Sequence, residues 1–116
     1  MSEVTIYHNP RCSKSRQTLA LLEDRGIQPK IVLYLENTPN QKQLKSLLAQ
    51  LGMSARELLR SGEQEYKDHN LKDPTLSETD LIAAMVKYPK LIERPIVVAN
   101  NKAALGRPPE QVLEIL

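Results

Sequence analysis

The beginning of the chain alternates strand, helix and strand, and this order restricts the folds that are open to it. Val4–Tyr7 (VTIY) is β-branched and aromatic, which is typical of a short buried strand. Ser13–Arg25 has a helical apolar stripe, with Gly26 as its predicted C-cap. Lys30–Leu35 (KIVLYL) predicts a second strand. A strand, a helix of about a dozen residues and a second strand form a βαβ unit, so the strands pair in parallel through a right-handed crossover.

Three helices are predicted in the middle of the chain. The first begins at Thr38-Pro39-Asn40-Gln41, with Thr38 as the N-cap and proline at the first helical position. Ser54-Ala55-Arg56-Glu57 has the pattern of a capping box and opens a short helix that is expected to end at Gly62. Ser77–Asp80 opens the third helix, which must stop before Pro89 because the residue before a proline resists the α conformation. Together these segments predict a helical insert.

The last part of the chain returns to strands. Pro95–Ala99 (PIVVA) predicts a third strand and Lys102–Leu105 a short fourth one. Asn100-Asn101 between them suits a tight hairpin turn, because asparagine tolerates a positive φ. A final helix is expected to end at Leu116. The order β-α-β, helical insert, β-β-α predicts one α/β domain over residues 1–116.

Composition excludes several classes of function. Cys12 is the single cysteine, so no intrachain disulfide or cysteine-rich metal site can form, and we expect no bound metal. The chain has no Phe or Trp, which removes the aromatic platform on which nucleic-acid bases stack, so no nucleic acid is expected as a partner. No apolar run is long enough to cross a membrane and no signal-peptide pattern opens the chain. We therefore expect a cytoplasmic protein with no membrane partner and, by default, a monomer.

The lone cysteine lies in HNPRCSKSR, a polar loop with no apolar neighbour to bury the thiol. Cys12 stands where a helix begins, so the amide groups that follow it and the helix dipole favour a thiolate. The bases that add positive charge are Arg11, Lys14, Arg16 and, when protonated, His8. A lone cysteine is more often a small buried hydrophobic residue, but these features predict a reactive thiolate. The same arrangement is suited to binding an oxyanion.

Two alternative cysteine sites are excluded by spacing. A phosphatase-type loop needs an arginine six residues after the cysteine, and Thr18 occupies that position. A dithiol redox centre needs a second cysteine, but the motif is C-x-x-S, with Ser15 in place of the second thiol. A redox reaction at Cys12 therefore depends on a thiol from another molecule.

Four stretches of the chain resemble one family. They are Ile6–Arg16 (IYHNPRCSKSR), Leu58-Leu59-Arg60, Glu93–Val98 (ERPIVV) and Gly106–Glu110 (GRPPE). At these spacings they resemble the glutaredoxin-dependent arsenate reductases, and the resemblance covers nearly the whole chain. It implies a thioredoxin-like fold of the glutaredoxin type, with a mixed four-stranded sheet and a helical insertion. The sequence ends soon after the last stretch, so it is similar to a branch of the family with a short C-terminus.

The resemblance also implies roles for individual residues. The family's nucleophilic cysteine falls on Cys12 and its cysteine-activating histidine on His8. Its three oxyanion-binding arginines fall on Arg60, Arg94 and Arg107. The amides after Cys12, that of Ser15 among them, are expected to bind the substrate too. A thioredoxin-like fold further implies a cis bond before Pro95.

The activity that the resemblance implies is the reduction of arsenate to arsenite through an arsenic ester on Cys12. Glutathione would be a co-substrate, with no cofactor bound, and glutaredoxin would be the protein partner. Two alternatives remain open at this point. One is a thioredoxin-like regulator that binds RNA polymerase without catalysis, although such regulators carry a C-x-x-C switch that is absent here. The other is a glutathione-linked thiol reductase that acts on another substrate, such as a glutathione mixed disulfide.

Overall fold

The structure is a computed structural model that describes residues 3–116, and the chain forms two compact units. One unit combines the chain up to Asn37 with Arg94–Leu116, and the other consists of Thr38–Glu93. The predicted helical insert is therefore the second unit, which interrupts the first along the sequence. The prediction of one domain over residues 1–116 stays a prediction. Within the described residues, no helix is long and apolar enough to cross a membrane.

The first unit contains a mixed sheet of four strands in the order β2-β1-β3-β4. The strands are β1 (Thr5–His8), β2 (Lys30–Leu33), β3 (Ile96–Ala99) and β4 (Lys102–Leu105). β1 pairs in parallel with β2 and antiparallel with β3, which pairs antiparallel with β4. The hairpin turn is confirmed, because Asn100 and Asn101 have φ of 55° and 62°. The α/β class and the parallel βαβ unit predicted from the sequence are confirmed.

The helix α1 (Ser13–Asp24) links β1 to β2, and Cys12 is its N-cap. At the other end Arg25 is the C-cap, and Gly26 follows in the left-handed conformation with φ of 76°. The C-cap was therefore predicted one residue too late, although Gly26 does mark the end of the helix. The core of this unit is formed by side chains of β1, α1, β3 and the C-terminal segment. Its buried members are Ile6, Leu22, Val97, Ala99, Val112 and Ile115.

The C-terminal segment Pro109–Ile115 is a 3₁₀ helix, where the sequence analysis expected an ordinary helix. Its two buried side chains are Val112 and Ile115, three residues apart. A 3₁₀ helix has three residues per turn, so such a pair lies on one face. This spacing lets both side chains enter the core in a short segment.

The second unit is helical. Its elements are α2 (Gln41–Leu51), α3 (Ala55–Leu58), α4 (Gln64–Asp68), α5 (Glu78–Lys87) and a 3₁₀ turn at Pro89–Leu91. α5 packs against α2 and α3. The predicted capping box at Ser54 is confirmed. α5 begins after Ser77 and stops before Pro89 as predicted, and Ser77 forms a capping box with Asp80 that was not predicted.

Two predictions in this unit were wrong. The N-cap of α2 is Asn40, and not Thr38, because Asn40 Oδ1 accepts from the Gln43 N–H at 2.8 Å and Gln43 Oε1 accepts from the Asn40 N–H at 2.9 Å. These two bonds complete a capping box two residues later than expected. α3 ends at Leu58, before Gly62, because Leu59 turns extended and pairs with Ile92 in an antiparallel bridge.

Candidate active site

The loop before α1 is held by its own polar groups. The Cys12 N–H donates to the Asn9 carbonyl at 3.0 Å, and the Arg11 N–H donates to Asn9 Oδ1 at 3.0 Å. Arg16 Nη1 donates to the Pro10 carbonyl at 2.9 Å, which ties the helix back to the loop. The loop backbone is therefore fixed where Cys12 begins the helix.

The thiol of Cys12 is buried, with 8% of the residue exposed. The polar neighbours of Cys12 along the chain provided no reason to expect a buried thiol, so its burial was not predicted. Its chain neighbours Arg11 and Ser13 are exposed, as the polar loop predicts. Arg107, 95 residues away, contacts the sulfur, and such a long-range neighbour cannot be read from the local sequence.

Arg107 is the cation that contacts the cysteine. Its Nη2 lies 3.7 Å from Cys12 Sγ, and its Nε donates to the Arg94 carbonyl at 2.9 Å. The second bond orients the guanidinium, which carries a positive charge at every physiological pH. The contact therefore places a fixed positive charge beside the sulfur of Cys12.

Arg94 and Arg107 each precede a proline. The Arg94–Pro95 bond is cis, which confirms what the family resemblance implied. The Arg107–Pro108 bond is cis as well, and the sequence analysis did not predict it. Both arginines are half-buried, and the structure brings them together through the bond from Arg107 Nε to the Arg94 carbonyl.

Gly106 directly precedes Arg107 and packs closely against two buried residues. A Cβ at this position would overlap Thr18 Oγ1 and would lie 2.7 Å from Pro95 Cγ. The Gly106 N–H donates to the Pro95 carbonyl at 3.0 Å, and the Thr18 hydroxyl donates to the Lys14 carbonyl at 2.8 Å. Only a residue without a side chain allows this close approach next to Arg107. The signal in the sequence was the glycine directly before Arg-Pro-Pro.

His8 and Ser15 form a buried pair. His8 Nδ1 lies 2.6 Å from Ser15 Oγ, which also accepts the Asn9 N–H at 3.0 Å. Burial lowers the pKa of His8, and the charge of Arg16 lowers it further. The imidazole is therefore neutral at neutral pH and does not supply the positive charge considered from the sequence. We assign the hydroxyl proton to the bond with Nδ1, which leaves the ring proton on Nε2.

Arg60 lies in the second unit. Its N–H donates to the Leu91 carbonyl at 2.8 Å, and the Glu93 N–H donates to the Leu58 carbonyl at 3.1 Å. Two of the stretches that carry the family resemblance are therefore paired with each other. The Arg60 guanidinium forms ion pairs with Glu63 at 3.0 Å and with Glu93 at 3.4 Å. Its expected role as an oxyanion ligand stays a prediction.

The sheet order, the cysteine at the start of α1 and the inserted helices define a thioredoxin-like protein with one thiol at its candidate site. The ArsC family matches residues 7–115 of the chain. An arsenate reductase of Haemophilus influenzae is 51% identical over 114 residues, which cover 97% of this chain and 98% of that protein. The chain therefore belongs to the ArsC family.

Other relatives agree with this assignment. The protein YfgD of Escherichia coli K12, described as uncharacterized, is 63% identical over 115 residues, which cover 98% of this chain and 97% of that protein. Among solved structures, an arsenate reductase from Vibrio cholerae superposes with a TM-score of 0.96 at 58% identity, and the match covers 98% of each chain. The thioredoxin-like fold expected from the sequence is confirmed.

Proposed function

We propose that the protein is an arsenate reductase that uses Cys12 as its nucleophile. Membership of the ArsC family and the names of similar proteins support the reaction. The observation that carries the proposal is the position of Arg107 Nη2, 3.7 Å from Cys12 Sγ at the start of α1. A thiolate beside a fixed guanidinium is suited to attack the central atom of a bound oxyanion.

The proposal assigns arsenate binding to Arg94, Arg107 and Arg60, the last by family resemblance. A guanidinium holds a tetrahedral oxyanion through two parallel N–H bonds, which lysine cannot reproduce. The amides that follow Cys12, including that of Ser15, would donate to the remaining oxygens. His8 would act from the neutral state that its buried position favours, as a proton carrier or an orienting group.

The first chemical step would join sulfur to arsenic. The Cys12 thiolate attacks As(V), an As–S bond forms, and one arsenate oxygen leaves as hydroxide or, once protonated, as water. Arsenic stays in the As(V) state, because this step is a substitution. The arginines that hold arsenate neutralise the negative charge on its remaining oxygens while the As–S bond forms.

The reduction would require two external thiols in turn. Glutathione replaces a second oxygen of arsenic and gives a Cys12–S–As–S–glutathione species with release of water. The thiolate of glutaredoxin then attacks the glutathione sulfur, which forms a mixed disulfide and leaves the electron pair of the As–S bond on arsenic, now As(III). Water releases arsenite and restores the Cys12 thiol. We propose that the reaction takes place in the cytoplasm, where the thiol stays reduced. We also propose that the protein acts as a monomer and forms one domain over residues 1–116.

A coupled assay tests the proposal. Arsenate-dependent NADPH oxidation is followed with glutathione, glutathione reductase and glutaredoxin present, for the wild type and Cys12→Ser. We expect turnover in the wild type, its loss without glutaredoxin, and none in the variant, with both proteins equally folded by circular dichroism. Full activity in Cys12→Ser contradicts the proposal. Turnover only of a glutathione mixed disulfide, with none of arsenate, would favour the thiol reductase instead.

A further inference from the structure

The guanidinium of Arg60 is already held by two carboxylates. Nη1 donates to Glu63 Oε2 at 3.0 Å, and Nε lies 3.4 Å from Glu93 Oε1. The side chain of Arg60 is 24% exposed and those of the two glutamates are 26% exposed. All three groups are partly screened from water, so these pairs are stronger than pairs on an open surface.

The backbone fixes both carboxylates beside Arg60. Glu93 is placed by the antiparallel bridge between Leu59 and Ile92, which pairs its own segment with that of Arg60. Glu63 is three residues after Arg60, and its N–H donates to the Arg60 carbonyl at 3.4 Å. The three side chains together carry one positive and two negative charges. A site that is meant only to attract anions gains nothing from this excess of negative charge.

We propose that Glu63 and Glu93 compete with the oxyanion for Arg60 and so set how tightly the site binds phosphate-like anions. The inference rests on the proposed function, which assigns Arg60 to the oxyanion. A guanidinium has five N–H donors in a fixed fork, and the glutamates occupy its Nη1 and Nε positions. An incoming tetrahedral anion must share Arg60 with these carboxylates or displace them, and their negative charge repels it. Non-covalent binding of every phosphate-like anion is therefore weakened.

Weak anion binding limits how far phosphate occupies the site. Phosphate is held by non-covalent contacts alone, so its occupancy falls in proportion to the affinity of the site. Arsenate binding is weakened in the same proportion before the As–S bond to Cys12 forms, so the glutamates set the affinity for both anions. Because the competition affects ground state and transition state alike, it changes KM and the inhibition constant of phosphate together and leaves kcat nearly constant.

The test compares Glu63→Gln and Glu93→Gln with Glu65→Gln, a matched control two residues further along that removes the same charge. Kinetics give KM and kcat for arsenate and the inhibition constant of inorganic phosphate. Protection of Cys12 from iodoacetamide by phosphate measures anion binding without turnover. For each of the first two variants we expect phosphate and arsenate constants about two- to five-fold lower, with kcat within about two-fold of the wild type. In a protein that already carries Arg60→Ala, neither Glu63→Gln nor Glu93→Gln should change these constants.

Each outcome separates this inference from the proposed function. Arsenate turnover with phosphate constants that match those of Glu65→Gln overturns the inference and leaves the proposed function intact. Tighter phosphate protection in a protein that does not reduce arsenate supports the competition and refutes the reaction. An equal effect of Glu63→Gln in the Arg60→Ala background, or phosphate that protects Cys12 in none of the proteins, overturns the inference.

Discussion

Arg107 Nη2 lies 3.7 Å from the sulfur of Cys12, although 95 residues separate the two along the chain. The contact joins the start of α1 to the turn that follows β4, so it exists only once the sheet has formed. The same guanidinium donates through Nε to the Arg94 carbonyl at 2.9 Å. The charge beside the thiol is thus fixed by the fold, whereas Arg11, Lys14 and Arg16 of the local loop are exposed to solvent.

Arg107→Ala should slow the reaction of Cys12 with iodoacetamide at pH 7. The variant removes the positive charge that lies beside the attacking sulfur, and we expect the rate to fall about three- to ten-fold. Arg11→Ala is the control, because Arg11 is the exposed base directly before the cysteine. Equal losses in the two variants would mean that overall charge, and not the Arg107 contact, governs the thiol.

Ser15→Ala should destabilise the fold. Ser15 is fully buried, and its Oγ is bonded to His8 Nδ1 and to the Asn9 N–H. The variant leaves both partners without this bond in a buried place, so the free energy of unfolding should fall by about 1–3 kcal/mol. Urea unfolding measures this change in the free energy of unfolding. Ser13→Ala, on the exposed first position of α1, should change stability by less than about 0.5 kcal/mol. Equal stabilities would show that the buried pair contributes nothing.

Local signals predicted much of the fold. The strands, the Asn100-Asn101 turn, the capping box at Ser54 and the helix start at Ser77 depend on residues close together in sequence, and the structure has them all. The N-cap of α2 was misplaced because Thr38 and Asn40 are both good caps, and only the reciprocal bonds with Gln43 decide between them.

The site was less predictable, because its contacts are long-range. The spacing of Cys12 and Arg107 gives no physical reason to expect contact, and Arg107 was identified by family resemblance. Burial of the thiol and of His8 also follows from tertiary packing and not from the polar loop. The ion pair between Arg60 and Glu93 depends on a bridge between segments more than 30 residues apart, for which the sequence has no local signal.

Stability should depend on pH through His8. Burial lowers its pKa below the ordinary value of 6.5, so below that pH the unfolded chain takes up a proton that the folded protein resists. The stability that depends on the neutral imidazole of His8 is complete above pH 6.5 and is lost as the pH falls toward the lowered pKa. His8→Gln should therefore lose less stability than the wild type between pH 7 and pH 5. Urea unfolding at several pH values measures this.

His69→Gln is the control for His8. His69 is exposed and stacks on Tyr88 with ring centroids 4.5 Å apart, so its replacement removes a histidine and leaves the buried pair of His8 and Ser15 intact. This variant should keep the acid sensitivity of the wild type. If His8→Gln and His69→Gln have the same dependence on pH, the buried imidazole is not the group that responds.

Gly106→Ala should damage both stability and the site. The new methyl group would overlap Thr18 Oγ1 and crowd Pro95, and both neighbours are buried and unable to move into solvent. We expect the free energy of unfolding to fall by about 1–3 kcal/mol and the melting temperature to drop with it. Gly62→Ala is the matched control, because its Cβ would meet nothing within 4 Å. Since Gly106 directly precedes Arg107, alkylation of Cys12 at pH 7 should slow in Gly106→Ala while the protein remains folded. Normal alkylation together with normal stability would refute the tight packing of Gly106.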